Sequence, residues 1–127
     1  MNLHRSVAPR PGGDAAVVTK GVLRASERLG LSNRVVAAVL GVSEATVSRM
    51  GTGAYQLEPA SKPFELAVLF LRLFRSLDAI VGGDTAVARA WLQNENTALN
   101  AAPVALIQSV AGLVNVVAYL DDRRAHA

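Results

Sequence analysis

Ser43, Glu44, Ala45, Thr46, Ser48 and Arg49 fall within nine residues, VSEATVSRM, and at helical spacing they leave Glu44, Ala45, Ser48 and Arg49 on one outward face. Side chains of these types near the start of a helix can meet base edges in a major groove, with an arginine reaching either a guanine edge or a phosphate. Thr46 reads two ways, its methyl packing inward or its hydroxyl touching phosphate. Delivering such a helix into a groove needs a small residue where two helices cross, a residue tolerant of positive φ four positions on, and an apolar anchor on the second helix. Ala37, Gly41 and Val47 have those types at those places. Val42 is placed to pack under the turn and Ser43 to accept from an orphan amide at the start of the second helix. Arg34 and Lys20 are placed to touch the backbone of a bound duplex. The competing reading is a sharp helical corner with Gly and Ser caps that serves packing alone.

Enzymatic chemistry finds little support. Both histidines, His4 and His126, lie near the chain ends, and there is no cysteine. Thiolate nucleophiles, disulfides and thiolate metal sites are thereby excluded. Ser43 and Ser109 read as helix caps, the carboxylates are scattered, and Asp121-Asp122 adjoin Arg123-Arg124, so no nucleophile, base and orienting group come together. Gly51-x-Gly53 follows a helix and lacks a third glycine, which separates it from a nucleotide loop. No catalytic residue, metal or cofactor is expected.

A chain of 127 residues, 51% hydrophobic and 18% charged, can bury one sizeable core and have apolar surface left for a partner. Through Lys62 there are eight basic and four acidic side chains, a net of +4; from Pro63 onward five basic face six acidic, a net of −1. The basic excess thus coincides with the candidate recognition helix, as a polyanion-binding half requires. The most apolar stretches, 103–120 and 64–81, are interrupted by Gln108, Ser109 and Asn115 and by Glu65, Arg72, Arg75 and Asp78, so no membrane span is expected. The first sixteen residues lack a continuous apolar run, and the chain is expected in the cytoplasm.

The elements that must position these groups are all helical. Val18, Val22, Ala25 and Leu29 carry a first helix from Val17 to Leu29, stopped by Gly30; Ser32 opens a second over Asn33 to Leu40; Ser43 opens a third from Glu44 to Met50. Ser61 caps a long helix from Lys62 to Ile80 with Pro63 in its first turn, Asp84 caps another through Leu92, and NENTALNAAP is a connector. Pro103 starts a short turn, and Ser109 caps a last helix to about Asp121. The expected organisation is a tail over 1–16, a helix-turn-helix region over 17–61 and a second helical region over 62–127.

The second half poses a packing question. FELAVLFLRLFRSLDAIV leaves only a narrow polar stripe, so its helix is either central in a core or between subunits. Gly112 inside VALIQSVAGLVNVVAYL costs about 1 kcal/mol relative to Ala unless close packing uses it. Trp91 reads as a core anchor, with an interface anchor as the alternative.

With its order of parts and the pattern Trp91-Leu92, Asn96, Leu99, Pro103, Leu106-Ile107 and Gly112, the segment 83–120 resembles the toxin-binding region of the Xre/MbcA/ParS-type antitoxins, its MbcA members above all. In that family the region follows an Xre-like helix-turn-helix. The resemblance spans about residues 17 to 121. It implies an all-α fold in which an N-terminal Xre-like helix-turn-helix bundle precedes a small helical toxin-binding region. It further implies a partner, a RES-domain toxin that degrades NAD, blocked by the antitoxin's C-terminal region over its active-site cleft, and an operator bound by the helix-turn-helix to repress the operon. The implied toxin-binding positions here are Tyr119, Leu120, Asp121, Asp122, Arg123, Arg124 and His126. Tyr119 and Leu120 would anchor. Arg123 and Arg124 would pair with acids in the cleft, or Asp121 and Asp122 would mimic phosphate. The chain departs from the family in carrying Asn100-Ala101-Ala102 where relatives often have glycines, and in ending DDRRAHA. One short recognition helix makes few contacts, so operator binding is expected from a homodimer or a higher complex with toxin. The alternatives are a transcriptional regulator without a toxin partner, or an interaction scaffold with a vestigial helix-turn-helix.

Overall fold

The structure is a computed structural model, and it describes residues 13–126. Among the described residues seven helices follow one another: α1 (Gly13–Arg28), α2 (Asn33–Leu40), α3 (Glu44–Thr52), α4 (Lys62–Ile80), α5 (Thr85–Gln93), α6 (Pro103–Leu106) and α7 (Val110–Ala125). No strand occurs among the described residues; the one extended contact is an isolated antiparallel bridge between Asn96 and Ala101.

Local chemistry sets most of these boundaries. The side chains of Ser32, Ser43, Ser61, Asp84 and Ser109 each accept from the backbone amide three residues on, satisfying a donor that the first helical turn leaves free. At the C-terminal ends of α1, α2 and α3, Gly30, Gly41 and Gly53 take left-handed φ values of 70°, 73° and 84°, the conformation that turns the chain out of a helix. In the connector, Asn100 adopts φ 64°. Asparagine tolerates that region better than most residues.

Helices α1 and α7 run a full turn further than their sequence signals suggest. Helix α1 begins at Gly13, so residues 13–16 of the expected tail are helical, with Asp14 in the first turn and Ala15 buried; residues 1–12 of that tail lie outside the described residues. Helix α7 continues past Asp121 to Ala125, because Asp121 and Arg124 make contacts with α4 that hold the extra turn.

Helix α4 is the central element. It packs against α1, α2, α5 and α7, and one continuous core collects Val22, Leu40, Val47, Phe70, Leu92 and Leu113 from helices in both halves of the chain. The apolar girth of α4 is therefore mostly covered within one copy. Of the two placements its sequence allows, α4 takes the central one, and Val68 and Ile80 are its only large exposed apolar side chains. Gly112 is buried in the first turn of α7, and a Cβ there would lie 2.7 Å from the Leu106 carbonyl carbon. The close approach of α6 to α7 is thus what the glycine permits.

Candidate nucleic-acid interface and C-terminal face

The corner between α2 and α3 is built as a helix-turn-helix. Ala37 is buried at the crossing, Gly41 turns the chain with its amide bonded to the Ala37 carbonyl at 2.9 Å, Val42 is half-buried, and Val47 is buried as the anchor of α3. Ser43, Glu44, Ala45, Ser48 and Arg49 are all exposed, and Arg34 is exposed in the first turn of α2. The hydroxyl of Ser43 accepts from the Thr46 amide at 3.0 Å and shares a hydrogen bond with the Thr46 hydroxyl at 2.9 Å. Arg49 Nη2 in turn donates to Thr46 Oγ1 at 3.1 Å.

Thr46 is thus neither a simple packing residue nor a free hydroxyl. Its Oγ1 lies between the cap and the arginine, and it holds Arg49 along the face of α3. A pre-placed guanidinium loses less conformational freedom on meeting an anion than a free one does. Lys20 reaches the same end of the molecule from α1, where it lines a hollow of about 320 Å³ with Thr52 and Gln56, beside the C-terminal end of α3.

The C-terminal candidates separate into two groups. Leu120 is only 2% exposed and belongs to the core, so the expectation that it anchors a partner is corrected: its apolar surface is used inside the molecule. Asp121 accepts from Ser76 Oγ at 2.9 Å and pairs with Arg72 at 2.7 Å, while Arg124 Nη1 lies 3.4 Å from the same Ser76 hydroxyl. These two charges brace α7 against α4. Asp122, Arg123 and His126 are exposed, with His126 Nδ1 2.8 Å from the Asp122 carbonyl oxygen.

Tyr119 is half-buried and stacks on Trp91, ring centroids 6.2 Å apart and 17° between planes, with the Arg123 guanidinium 5.7 Å from the Tyr119 ring. All three line a groove of about 300 Å³ that also includes Leu77, Ile80 and Val87. Trp91 is half-buried and lines this groove, so it is not a fully enclosed core anchor. The partly polar run WLQNEN around it is the local signal that its burial is incomplete.

One arginine also ties α5 to the end of α1. Arg89 donates from Nε to the Arg28 carbonyl at 2.8 Å and from Nη2 to the Glu27 carbonyl at 3.0 Å, adding donors to carbonyls of the last helical turn. No group of three or more potential metal-ligating side chains occurs among the described residues, and none of their helices is long and apolar enough to cross a membrane.

A helix-turn-helix followed on a shared helix by a second, helical region defines the class: a two-part, all-α chain of the helix-turn-helix type. Residues 14–72 match the antitoxin Xre-like helix-turn-helix domain and residues 76–125 match the antitoxin Xre/MbcA/ParS C-terminal toxin-binding domain, and the chain belongs to that antitoxin family. Among solved structures it is similar to a chain in the crystal structure of the M. tuberculosis MbcT-MbcA toxin-antitoxin complex. The TM-score is 0.65 and the sequence identity 22%, over 87% of this chain and 96% of that one. A search of curated proteins finds no match.

Proposed function

We propose that this antitoxin binds and blocks an NAD-consuming RES-domain toxin in the cytoplasm and, as a dimer or with its toxin, represses its own operon through α2 and α3. The observation that carries the reading is the match of residues 76–125 to the toxin-binding domain of the family, over a region whose last turns present Tyr119, Asp122, Arg123 and His126 on a rigid helix. A preformed helix avoids most of the ordering cost that a flexible inhibitory tail would incur on binding. Charged groups beside an aromatic pair suit a nucleotide cleft, where acids and phosphate-binding cations both occur. The protein then acts by occupying a site, with no chemistry of its own.

The test begins with whether an adjacent reading frame encodes a RES-type protein; co-expression with that protein, purification and an assay of NAD loss then follow. Protection of NAD by the intact antitoxin, lost when Tyr119, Asp122 and Arg123 are all replaced by alanine, supports the reading. Full protection by that variant moves inhibition elsewhere on the helical body. A gel shift on the DNA upstream of the pair tests repression separately, and indifference to simultaneous replacement of Glu44, Ser48 and Arg49 removes α3 from the account.

A further inference from the structure

The start of α1 and the end of α3 meet on one side of the molecule. Ala16 and Lys20 of α1 line the hollow of about 320 Å³ together with Gly51, Thr52 and Gly53. Helix α1 begins at Gly13, three residues before Ala16, which is about 4.5 Å along the helix axis. Residues 1–12 therefore join the described chain within one turn of the end of α3. That end is open. Gly51 lies inside α3 and is not among the glycines with left-handed φ, and a Cβ built there would meet nothing within 4 Å. Glycine in a helix costs about 1 kcal/mol relative to alanine, and neither packing nor backbone conformation among the described residues uses this one. What its missing side chain provides is room for a close approach from outside, one turn beyond the exposed Ser48 and Arg49. The carbonyl end of the helix also favours a cation there.

Charge is the second observation. From Gly13 to Lys62 six basic side chains stand against four acidic ones, and two of the six are engaged with α4 carboxylates, Arg28 with Asp78 and Lys62 with Glu65. Around α3 this leaves Lys20, Arg34 and Arg49, with Glu44 among them. That is a small cationic surface for a duplex whose affinity comes largely from neutralised phosphates. Residues 1–12 contain Arg5 and Arg10 and no acid. They hold half of the net charge of +4 carried through Lys62, and they enter the fold beside the recognition helix.

We propose that residues 1–12 are a DNA-binding arm that passes the end of α3 and places Arg5 and Arg10 in the minor groove flanking the major groove that α3 enters. The inference rests on operator binding by α3 in the proposed function and adds a second contact region to it. Reach is sufficient: twelve residues at full extension span up to about 40 Å, and neighbouring major and minor grooves lie half a helical turn, roughly 17 Å, apart. Arginines suit a narrow minor groove, where the negative potential of the duplex is enhanced. The arm thus supplies phosphate neutralisation that the face of α3 lacks, and it extends the site beyond the bases α3 touches.

Fluorescence anisotropy and hydroxyl-radical footprinting on the DNA upstream of the chain's own gene test it, with the full chain throughout. Changing Arg5 and Arg10 together to alanine is expected to weaken binding and to make the slope of log K against log salt shallower by about two units between about 50 and 200 mM. The footprint of the native chain covers the minor groove beside the α3 site, and that of the alanine variant lacks this flank. Arg5→Lys with Arg10→Lys keeps the charge and restores the slope. Circular dichroism confirms that each variant is folded. Native binding with a slope or a flanking footprint that the alanine variant leaves unchanged overturns the arm and keeps α3 as the reader. Failure of the underlying reading looks different: the native chain then gives no footprint at all on this DNA, and the arm falls with it.

Discussion

Asp121 accepts from the guanidinium of Arg72 at 2.7 Å and from the hydroxyl of Ser76 at 2.9 Å, tying the last turns of α7 to the second half of α4. Ser76 is fully buried, whereas the Asp121 side chain keeps 29% of its exposure. The pair is thus partly shielded, between a surface ion pair of small worth and a desolvated one. Asp121→Asn is expected to cost about 1–2 kcal/mol of stability through the lost charge-assisted bonds. Asp122→Asn, on the exposed side of the same turn, is expected to leave the denaturation midpoint nearly unchanged. Urea unfolding of both variants checks the contrast.

On α3, Arg49→Ala is expected to weaken operator binding by about 1–3 kcal/mol if the side chain reads a base, or to lower the salt slope by about one unit if it grips phosphate. Thr46→Val keeps the size of the side chain and removes the oxygen that holds Arg49, so it should produce a smaller loss in the same direction. Gel shifts at several salt concentrations separate the two contact types.

Gly112→Ala should destabilise by about 1–3 kcal/mol through overpacking against the Leu106 carbonyl. Helix propensity alone gives the opposite sign, a gain of about 1 kcal/mol. Thermal unfolding of the variant therefore decides which effect wins.

Two buried hydroxyls near the domain's N-terminal end should behave oppositely. Thr19 Oγ1 accepts from the Leu57 amide at 2.9 Å, whereas Ser26 Oγ has no hydrogen-bond partner among the described residues. Thr19→Val strands a buried amide and should cost about 1–3 kcal/mol, while Ser26→Ala should be neutral or stabilising by up to about 1 kcal/mol. Denaturant midpoints of the two single variants, compared with the native chain, measure both.

Much of the fold was legible because its signals are local. A serine or aspartate three residues before an orphan amide, or a glycine after the last turn, acts within one turn of chain, and Ser32, Ser43, Ser61, Asp84, Ser109 and Gly41 all do what their positions indicate. The exposed face of α3 follows from its cap and its anchor, so it too could be read. The C-terminal face could not. Leu120 and Tyr119 are adjacent and both apolar in part, yet one faces the core and the other stacks on Trp91, a division set by where α4 and α5 pass. The same holds for Asp121 against Asp122, identical in type and separated by 100° of helical rotation. Residues Arg72, Ser76 and Arg89 act across 45 or more positions of chain, which no spacing rule reports.

The match to the two family regions stops at residue 72 and resumes at 76, both inside α4. That helix supplies Phe70 to the wall behind the helix-turn-helix and Leu77 and Ser76 to the wall behind α7, and Arg89 closes α1 from the far side of the division. Loss of α4 itself therefore removes the wall behind both portions at once, and a protease that captures the chain in that opened state removes both surfaces in one event. The face of α3 and the face of α7 rest on the same helix.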